Sequence, residues 1–313
     1  MSELHNEHNR QHEYDPQHRS GFVCFVGRPN TGKSTLMNAM VGQKIAITSN
    51  RPQTTRHTIR GIITTDNAQL VIVDTPGLHR PRTLLGERLN ELVKDTFADV
   101  DIIGLCIPAD EPIGPGDRWI LNQVRKNVPR TPVIGVVTKV DKVSRDQIAA
   151  QLVAVAELLG PDAEVIPVSA ASGEQVDTVI DVFTSLLPEG PQFYPEDELT
   201  DDDTEKFLSE LIREAVLEDV RDELPHSIAC TIEEIYPDPD DEGRTVVNAT
   251  IYVERDSQKG IVIGKKGSRL RKVGQRARQG ISRVLGTRVY LDLHVKVLKD
   301  WQTDPKQLGK LGF

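Results

Sequence analysis

The stretch GRPNTGKST, residues 27–35, is the feature that most limits how this chain can fold. It directly follows the apolar run FVCFV and precedes a helical pattern over 33–42, which places a full GxxxxGK[ST] motif between a strand and a helix. Glycines in such a loop let backbone N–H groups wrap phosphates, and the positive end of the next helix faces them. The chain is therefore expected to contain a phosphate-binding α/β domain; a purely structural glycine turn is the alternative.

The residue types within this loop match the chemistry of a bound nucleotide. Lys33 is expected to neutralise the β- and γ-phosphates, and Ser34 is expected to bind Mg²⁺. The whole loop is assigned to nucleotide binding: Gly27, Arg28, Pro29, Asn30, Thr31, Gly32, Lys33, Ser34 and Thr35.

A second motif, DTPG, ends the strand-like run QLVIV and has the DxxG arrangement. Asp74 is expected to reach the metal and the Gly77 N–H to meet the γ-phosphate, whereas a plain strand–turn junction is the alternative. Thr75 and Pro76 complete the motif and are assigned to the same site. The segment 75–90 is a candidate nucleotide-dependent switch.

The polar, unpatterned segment TSNRPQTTRHT, residues 48–58, lies between these two motifs. A segment ordered only by the γ-phosphate and the metal would distinguish the nucleoside triphosphate state from the diphosphate state. We expect Thr55 to be the second Mg²⁺ ligand, with Thr54 as the rival.

Base identity is predicted from two further strand ends, PVIGVVTKVD and VIPVSAAS. The Asp141 carboxylate can accept hydrogen bonds from guanine N1–H and the 2-amino group, which adenine lacks, so GTP is expected over ATP. The usual guanine motif is NKxD, and Thr138 here replaces its Asn, which predicts weaker affinity. A Lys/Asp surface turn is the alternative. The base-site residues are Thr138, Lys139, Asp141, Ser169, Ala170 and Ala171.

The order of apolar runs predicts two domains. Short β-branched runs alternate with helical patterns in the first, which indicates a mostly parallel sheet flanked by helices, and a hairpin around Asp66-Asn67 adds one antiparallel edge strand. Pro, Gly and acidic residues then interrupt both periodicities. The predicted division is a disordered tail (1–20), a first domain (21–188), an acidic linker (189–203), a second domain (204–300) and a C-terminal tail (301–313).

The second domain has its own pattern: helix, two strands, short helix, GKKG, helix and strand. The chain carries a net charge of −9, but residues 255–299 contain thirteen Lys or Arg against two acids. This is the footprint of a polyanion-binding surface. A GxxG loop in this order matches a prokaryotic-type KH domain, which clamps about four nucleotides. A solvated basic face on helix 268–284 is the alternative.

Ten residues around GKKG are candidates for RNA binding. The isoleucines would lie under the bases and the cations would contact phosphates. They are Lys259, Ile261, Ile263, Gly264, Lys265, Lys266, Gly267, Arg269, Arg271 and Lys272.

The phrases GRPNTGKSTL, PQTTRHTIRGI, VDTPGLH and LPEGPQFYP, ahead of a basic GKKG domain, resemble the Era family across roughly residues 20–300. The resemblance implies a Ras-like phosphate-loop GTPase domain with a mixed, mostly parallel sheet, plus an α+β type II KH domain. It also implies GTP and GDP as ligands and the 3′ end of small-subunit ribosomal RNA in 30S assembly as the target. Catalytic roles are then expected for Lys33, Thr55, Gly77 and Asn30.

The family also bears on rate and location. Leu78 stands where most Ras-like enzymes have the water-orienting Gln, so slow turnover, nearer the intrinsic Ras range of ~10⁻⁴ to 10⁻³ s⁻¹, is expected. The Asn of the phosphate loop, here Asn30, helps some relatives bind K⁺; K⁺ dependence of this chain stays open. A cytoplasmic monomer is expected, with peripheral contact at the inner face of the membrane left open.

Two other classes of protein compete with this interpretation. One is a membrane-surface GTPase whose basic helix meets anionic lipid. The other is a phosphate-loop ATPase or kinase whose basic domain holds an anionic substrate, which the TKVD motif opposes.

Overall fold

A computed structural model describes most of the chain. The described residues are 18–49, 51, 54–78, 83–220 and 224–313. Most of the predicted tail, residues 1–17, lies outside them, as do residues 79–82 of the second candidate switch.

Within these residues the first domain contains six strands and five α-helices. The strands are β1 (Arg19–Val26), β2 (Ile59–Thr65), β3 (Ala68–Asp74), β4 (Ile102–Pro108), β5 (Val133–Thr138) and β6 (Val165–Pro167). The helices are α1 (Lys33–Val41), α2 (Leu84–Ala98), α3 (Pro115–Asn127), α4 (Arg145–Leu159) and α5 (Val176–Leu186).

The strands form one sheet in the order β2-β3-β1-β4-β5-β6. Only β2 runs antiparallel to its neighbour among these described strands, and the Thr65↔Ala68 pair closes the predicted hairpin. Every residue of β3 and β4 is buried, because helices cover both faces of a parallel sheet. The predicted mixed, mostly parallel α/β fold is therefore confirmed.

Parallel strands bring their carboxyl ends to one edge of the sheet, where ligands bind in open α/β folds. The loops after β1, β3, β5 and β6 all start at this edge. The four predicted nucleotide motifs therefore converge, although they are spread over more than a hundred residues.

The second domain packs two long helices on one face of a three-stranded sheet. Its elements are α6 (Thr204–Asp219), β7 (Ala229–Pro237), β8 (Arg244–Val253), α7 (Asp256–Ile263), α8 (Ser268–Leu285) and β9 (Arg288–Val297). β8 pairs antiparallel with β7 and parallel with β9. The core lies between sheet and helices, with Ile212 on α6, Ile251 on β8 and Ile281 on α8 all fully buried. The predicted type II KH order is confirmed.

The acidic stretch between the domains lies against the first domain. The Gln69 side chain on β3, which is fully buried, accepts hydrogen bonds from the backbone N–H groups of Phe193 (2.7 Å) and Tyr194 (3.0 Å) and donates to the Tyr194 carbonyl (2.9 Å). Further along, the Ile62 N–H donates to the Leu199 carbonyl at 2.9 Å. The segment predicted as a linker therefore lies along the sheet edge for most of its length, and we call residues 193–199 the strap.

The residues after the second domain form a small inter-domain core. Trp301 is fully buried, and its indole N–H donates to the Ser227 carbonyl at 3.2 Å. A short helix, α9 (Pro305–Lys310), brings Leu308 onto Leu85 and Leu89 of α2. The predicted tail 301–313 therefore bridges both domains.

The Gln69 strap predicts a stability effect that a surface glutamine would not show. Gln69→Ala leaves backbone groups of the strap without partners and should lower the free energy of unfolding by about 1–3 kcal/mol. A Glu-specific protease should then cleave after Glu196 and Glu198 faster than in the parent chain. Urea denaturation and timed proteolysis measure both. Gln43→Ala, at an exposed position, is the control and should change neither.

Candidate functional site

The turn of the phosphate loop depends on two glycines, Gly27 and Gly32. A Cβ on Gly27 would lie 2.6 Å from the Cys106 carbonyl oxygen of β4, so this position must be glycine. Asn30 (φ 64°) and Gly32 (φ 95°) adopt left-handed backbone conformations, which glycine accepts at no cost and asparagine accepts more readily than most residues. The loop therefore turns its N–H groups inward before α1 begins.

Lys33 lies inside this turn. Its ammonium group is buried and donates to the carbonyl oxygens of Gly27 (3.2 Å) and Arg28 (3.0 Å). Burial lowers the pKa of Lys33, while the nearby Asp74 carboxylate opposes that shift. The cation is thus stationed at the centre of the predicted phosphate cradle.

Three predicted metal ligands meet at one carboxylate. The Asp74 Oδ2 atom accepts hydrogen bonds from the hydroxyls of Ser34 (2.6 Å) and Thr55 (3.2 Å), which lie 3.0 Å from each other. Asp74 is fully buried, which raises its pKa, and its Oδ1 atom has no hydrogen-bond partner among the described residues. The Thr54 hydroxyl instead donates to the Arg51 carbonyl at 2.7 Å, so the geometry favours Thr55 over its rival.

The DTPG motif contributes mainly backbone. A Cβ on Gly77 would lie 3.2 Å from the Pro29 nitrogen, which shows how closely the two motifs approach. Thr75 is fully buried, and its hydroxyl faces the Phe25 carbonyl at 3.4 Å. Leu78 is also buried, within the core beneath α2. Gly77 therefore lines the pocket, and Asp74 contributes its carboxylate to the metal site through Ser34 and Thr55.

The base-binding loops are joined to the phosphate loop by Thr138. Its hydroxyl donates to the Thr31 carbonyl at 2.6 Å, in a position only 4% exposed. The Asp141 carboxylate accepts from the Ser169 hydroxyl at 2.6 Å, and Lys139 takes a left-handed conformation (φ 59°). The hydroxyl of Thr138 thus links the two loops, a connection that the sequence alone did not suggest.

One pocket runs from the phosphate loop to the base loops. It is lined by the following predicted residues: Pro29, Asn30, Gly32, Lys33, Ser34, Thr35, Thr55, Gly77, Thr138, Lys139, Asp141, Ala170 and Ala171. Arg28 does not line it, because its guanidinium forms ion pairs with Asp117 (2.8 Å) and Glu111 (2.9 Å) at α3. Sequence reasoning missed Lys142, Thr48 and Arg51 on its wall, since polar loop residues carry no pattern.

The GKKG loop is a tight turn between α7 and α8. Gly264 (φ 72°) and Gly267 (φ 75°) have positive φ, and a Cβ on Gly264 would lie 2.8 Å from the Arg269 Cβ. Lys265 and Lys266 are exposed at its tip. Arg269 donates to the Ile261 carbonyl at 2.7 Å and therefore also closes the end of α7.

A groove beside this loop lies between α8 and β9. It is lined by Gly267, Leu270, Arg271, Gly274, Gln275, Arg278, Tyr290, Leu291 and Leu293. Its apolar floor comes from α8 and β9, while the isoleucines predicted to lie under the bases, Ile261 and Ile263, are on α7 and do not line this groove. Tyr290 is 54% exposed at the rim, whereas the other aromatic side chain near the end of this domain, Trp301, is buried. The alternating apolar residues of RVYLDLHVKV were the available signal for this floor.

In the first domain, the residues assigned to the phosphates, the metal and the base lie at one edge of the sheet, which is the arrangement of a phosphate-loop GTPase. In the second domain, the GKKG loop and the groove beside it are the arrangement of a KH domain. Family models agree with both assignments. A model described as 50S ribosome-binding GTPase matches residues 22–139, and a KH domain model matches residues 223–302.

Curated relatives narrow the class to one family. GTPase Era of Mycolicibacterium smegmatis is 68% identical over 295 residues, covering 94% of this chain and 99% of that protein. GTPase Era of Corynebacterium diphtheriae is 65% identical over 295 residues, covering 94% and 97%. The chain belongs to the GTPase Era family, and it hydrolyses GTP.

Two solved structures of Era match most of the chain. Era in complex with MgGDPNP and nucleotides 1506–1542 of 16S ribosomal RNA superposes with a TM-score of 0.90 at 36% identity. A Tyr-to-Ala variant of Aquifex aeolicus Era bound to GDP and AlF₄⁻ gives 0.89, also at 36%. Each match covers 94% of this chain and 99% of the other.

Thr138 leads to a prediction about affinity. Thr138→Val should cost about 1–2 kcal/mol of nucleotide binding, roughly 5- to 30-fold in Kd for both GTP and GDP, because the buried Thr31 carbonyl loses its donor. Titration with fluorescent guanine nucleotides measures this loss. Thr138→Asn, which keeps a donor, should bind within a few-fold of the parent chain. Thr178→Val, at an exposed hydroxyl on α5, serves as the control; an equal loss there would contradict the assignment.

Proposed function

We propose that this chain is a GTP-switched RNA-binding factor that holds the single-stranded 3′ end of small-subunit ribosomal RNA during 30S assembly. The observation that carries the proposal is the α8–β9 groove beside an exposed GKKG loop, in a chain whose relative of 36% identity holds nucleotides 1506–1542 of 16S ribosomal RNA. We also propose that the chain is a monomer located in the cytoplasm.

The residues around Asp74 fit a magnesium ion. The hydroxyls of Ser34 and Thr55 and the carboxylate of Asp74 form a set of oxygen ligands of the kind that Mg²⁺ prefers. The buried Oδ1 atom of Asp74 has no hydrogen-bond partner among the described residues, so a cation there would stabilise it. Ser34 and Thr55 would bind the ion directly and Asp74 through water. When bound, the ion neutralises charge on the β- and γ-phosphate oxygens.

Hydrolysis then depends on positioning and charge. Lys33 is placed to neutralise phosphate oxygens, and the Gly77 N–H is placed to orient the γ-phosphate. Leu78, which stands at the position of the usual Gln, is buried in the core and so does not orient a water molecule, which supports slow intrinsic turnover. Asn30 lines the pocket at the place where the resemblance implies K⁺; comparing hydrolysis in KCl and NaCl decides that point.

Guanine specificity is assigned to Asp141. Asp141→Asn should lower GTP affinity by at least tenfold and raise xanthosine triphosphate affinity, because an amide donor matches the xanthine carbonyl better than the guanine amino group. Competition binding with GTP, XTP and ATP measures the shift. Preference for ATP in the parent chain would instead favour the ATPase or kinase alternative. Asp146→Asn, at an exposed position on α4, is the matched control.

RNA contact is assigned to the ten residues named around GKKG, extended by Tyr290 and Arg278 on the groove wall. Arg271 lines the groove. Lys272 is exposed but not among the groove-lining residues, and Lys259 is half-buried on α7. The basic loop supplies phosphate contacts, and the floor between α8 and β9 accepts bases.

A membrane surface is the second candidate for this basic face. None of the described helices is long and apolar enough to cross a membrane. In this alternative, the basic residues of α8 would contact anionic lipid at the inner face of the membrane.

Replacing GKKG by GDDG, through Lys265→Asp and Lys266→Asp, should weaken binding of a 16S 3′-end oligonucleotide by 100-fold or more and leave GTP hydrolysis unchanged. Fluorescence anisotropy measures RNA affinity with a GTP analogue, with GDP and without nucleotide. Tighter binding in the analogue-loaded state is expected.

The control replaces two exposed cations far from the groove, through Lys126→Asp and Arg130→Asp. Equal RNA affinity in all three nucleotide states would remove the switch from the proposal. Unchanged RNA affinity of GDDG, with loss of binding to anionic vesicles, would favour the membrane-surface alternative.

A further inference from the structure

The segment that carries Thr55 is held chiefly by the second domain. Ile47, at its start, is 1% exposed and packs in the core of the KH domain. The Thr48 N–H donates to Glu214 of α6 at 2.9 Å, and the Arg51 guanidinium donates to the Val220 carbonyl at 2.7 Å. We call the described residues within 47–58 the switch strip.

Both neighbours of Thr55 are bound by that domain. The Thr54 carbonyl accepts a hydrogen bond from the Arg213 guanidinium of α6. The Arg56 guanidinium donates to the carbonyl oxygens of Ile228 at 2.6 Å and His226 at 2.9 Å. Thr55 itself turns the other way, towards the buried carboxylate of the GTPase domain.

Arg56 is an unusual residue to bury. It is 1% exposed, its guanidinium lies 5.8 Å from the ring centre of Trp301, and Arg213 beside it is equally buried. Glu210, which is ion-paired with Arg213, is the buried carboxylate of this cluster. A buried guanidinium needs hydrogen-bond acceptors, and the two carbonyl oxygens that accept from its terminal nitrogens determine where the Arg56 guanidinium lies.

The next residue continues the same anchor. The His57 ring stacks on Phe313 with centroids 5.0 Å apart and planes 9° apart. Phe313 also stacks on Trp301 at 5.7 Å, and its carbonyl accepts from Arg88 of α2 at 2.6 Å. Phe313 therefore connects the switch strip, through His57, to helix α2, through Arg88.

We infer that Arg56 is a positioning residue for GTP hydrolysis, through which the KH domain holds Thr55 at the metal site. The inference rests on the proposed role of Thr55 as a Mg²⁺ ligand. Adjacent Cα atoms are only ~3.8 Å apart, so any shift of the backbone at Arg56 also moves Thr55, and the carbonyl acceptors that hold the Arg56 guanidinium oppose such a shift. A misplacement of ~1 Å at a reacting centre costs on the order of 100-fold in rate.

The test variant is Arg56→Met in the full-length chain, which keeps the apolar stem and removes the donors. Single-turnover GTP hydrolysis should fall 10- to 100-fold, and the Mg²⁺ concentration for half-maximal rate should rise at least threefold. GDP affinity should stay within twofold, because the diphosphate state does not need the second hydroxyl ligand. Arg56→Lys should recover part of the rate.

A matched control is Arg60→Met on β2, whose guanidinium pairs with Asp201 at the surface. It should hydrolyse GTP at the parent rate. Arg213→Met, which removes the donor to the Thr54 carbonyl from the KH side, should reproduce the Arg56→Met result although it belongs to the other domain.

Parent-like hydrolysis and Mg²⁺ dependence in Arg56→Met would overturn the inference, as would an equal fall in GDP affinity and rate, which marks a merely structural role. Thr55→Ala separates the premise from the inference. If Thr55→Ala keeps the parent Mg²⁺ dependence, the assigned metal ligand is wrong; if it loses it while Arg56→Met does not, only the positioning role is wrong.

Discussion

The carboxylate of Asp74, removed from water at the end of β3, is the interaction on which the nucleotide site depends. It joins three separate parts of the chain: its own strand, the first turn of α1 through Ser34, and the switch strip through Thr55. A buried anion is stable only with such donors or with a cation. A cation that binds Asp74 would therefore change its hydrogen bond to Thr55. Thr55 belongs to the switch strip, which the KH domain also contacts through Arg213.

This arrangement gives the KH domain two distinct faces toward its surroundings. The cationic GKKG loop, α8 and the groove beside β9 face outward, while α6 presents Glu210, Arg213 and Glu214 to the switch strip. Among the described residues, the groove is lined by α8 and β9, whereas the strip is bound by α6. Because α6 packs on α8 in the core of the KH domain, the two faces are connected through that core.

Much of this could be predicted from the sequence. The phosphate loop, DTPG and TKVD motifs, the hairpin and the order of the KH domain follow from local patterns, since a period of two or 3.6 residues reports directly on a strand or a helix. The partners of Arg56 could not be predicted, because backbone carbonyls about 170 residues away leave no mark on sequence. The same holds for Gln69, whose buried amide binds backbone only, and for the Thr138 hydroxyl on the Thr31 carbonyl.

The strap along β2 and β3 sets how far the KH domain can travel. The backbone is hydrogen-bonded to β2 as far as Leu199 and α6 starts at Thr204, so residues 200–203 form the connection between the domains, ~14 Å long at full extension. Within it, Asp201 also pairs with Arg60 of β2. Two domains joined by so short a linker have an effective concentration relative to each other in the millimolar range or above. Weak contacts at the joint then suffice to keep it closed, and it can reopen without either partner ever diffusing away.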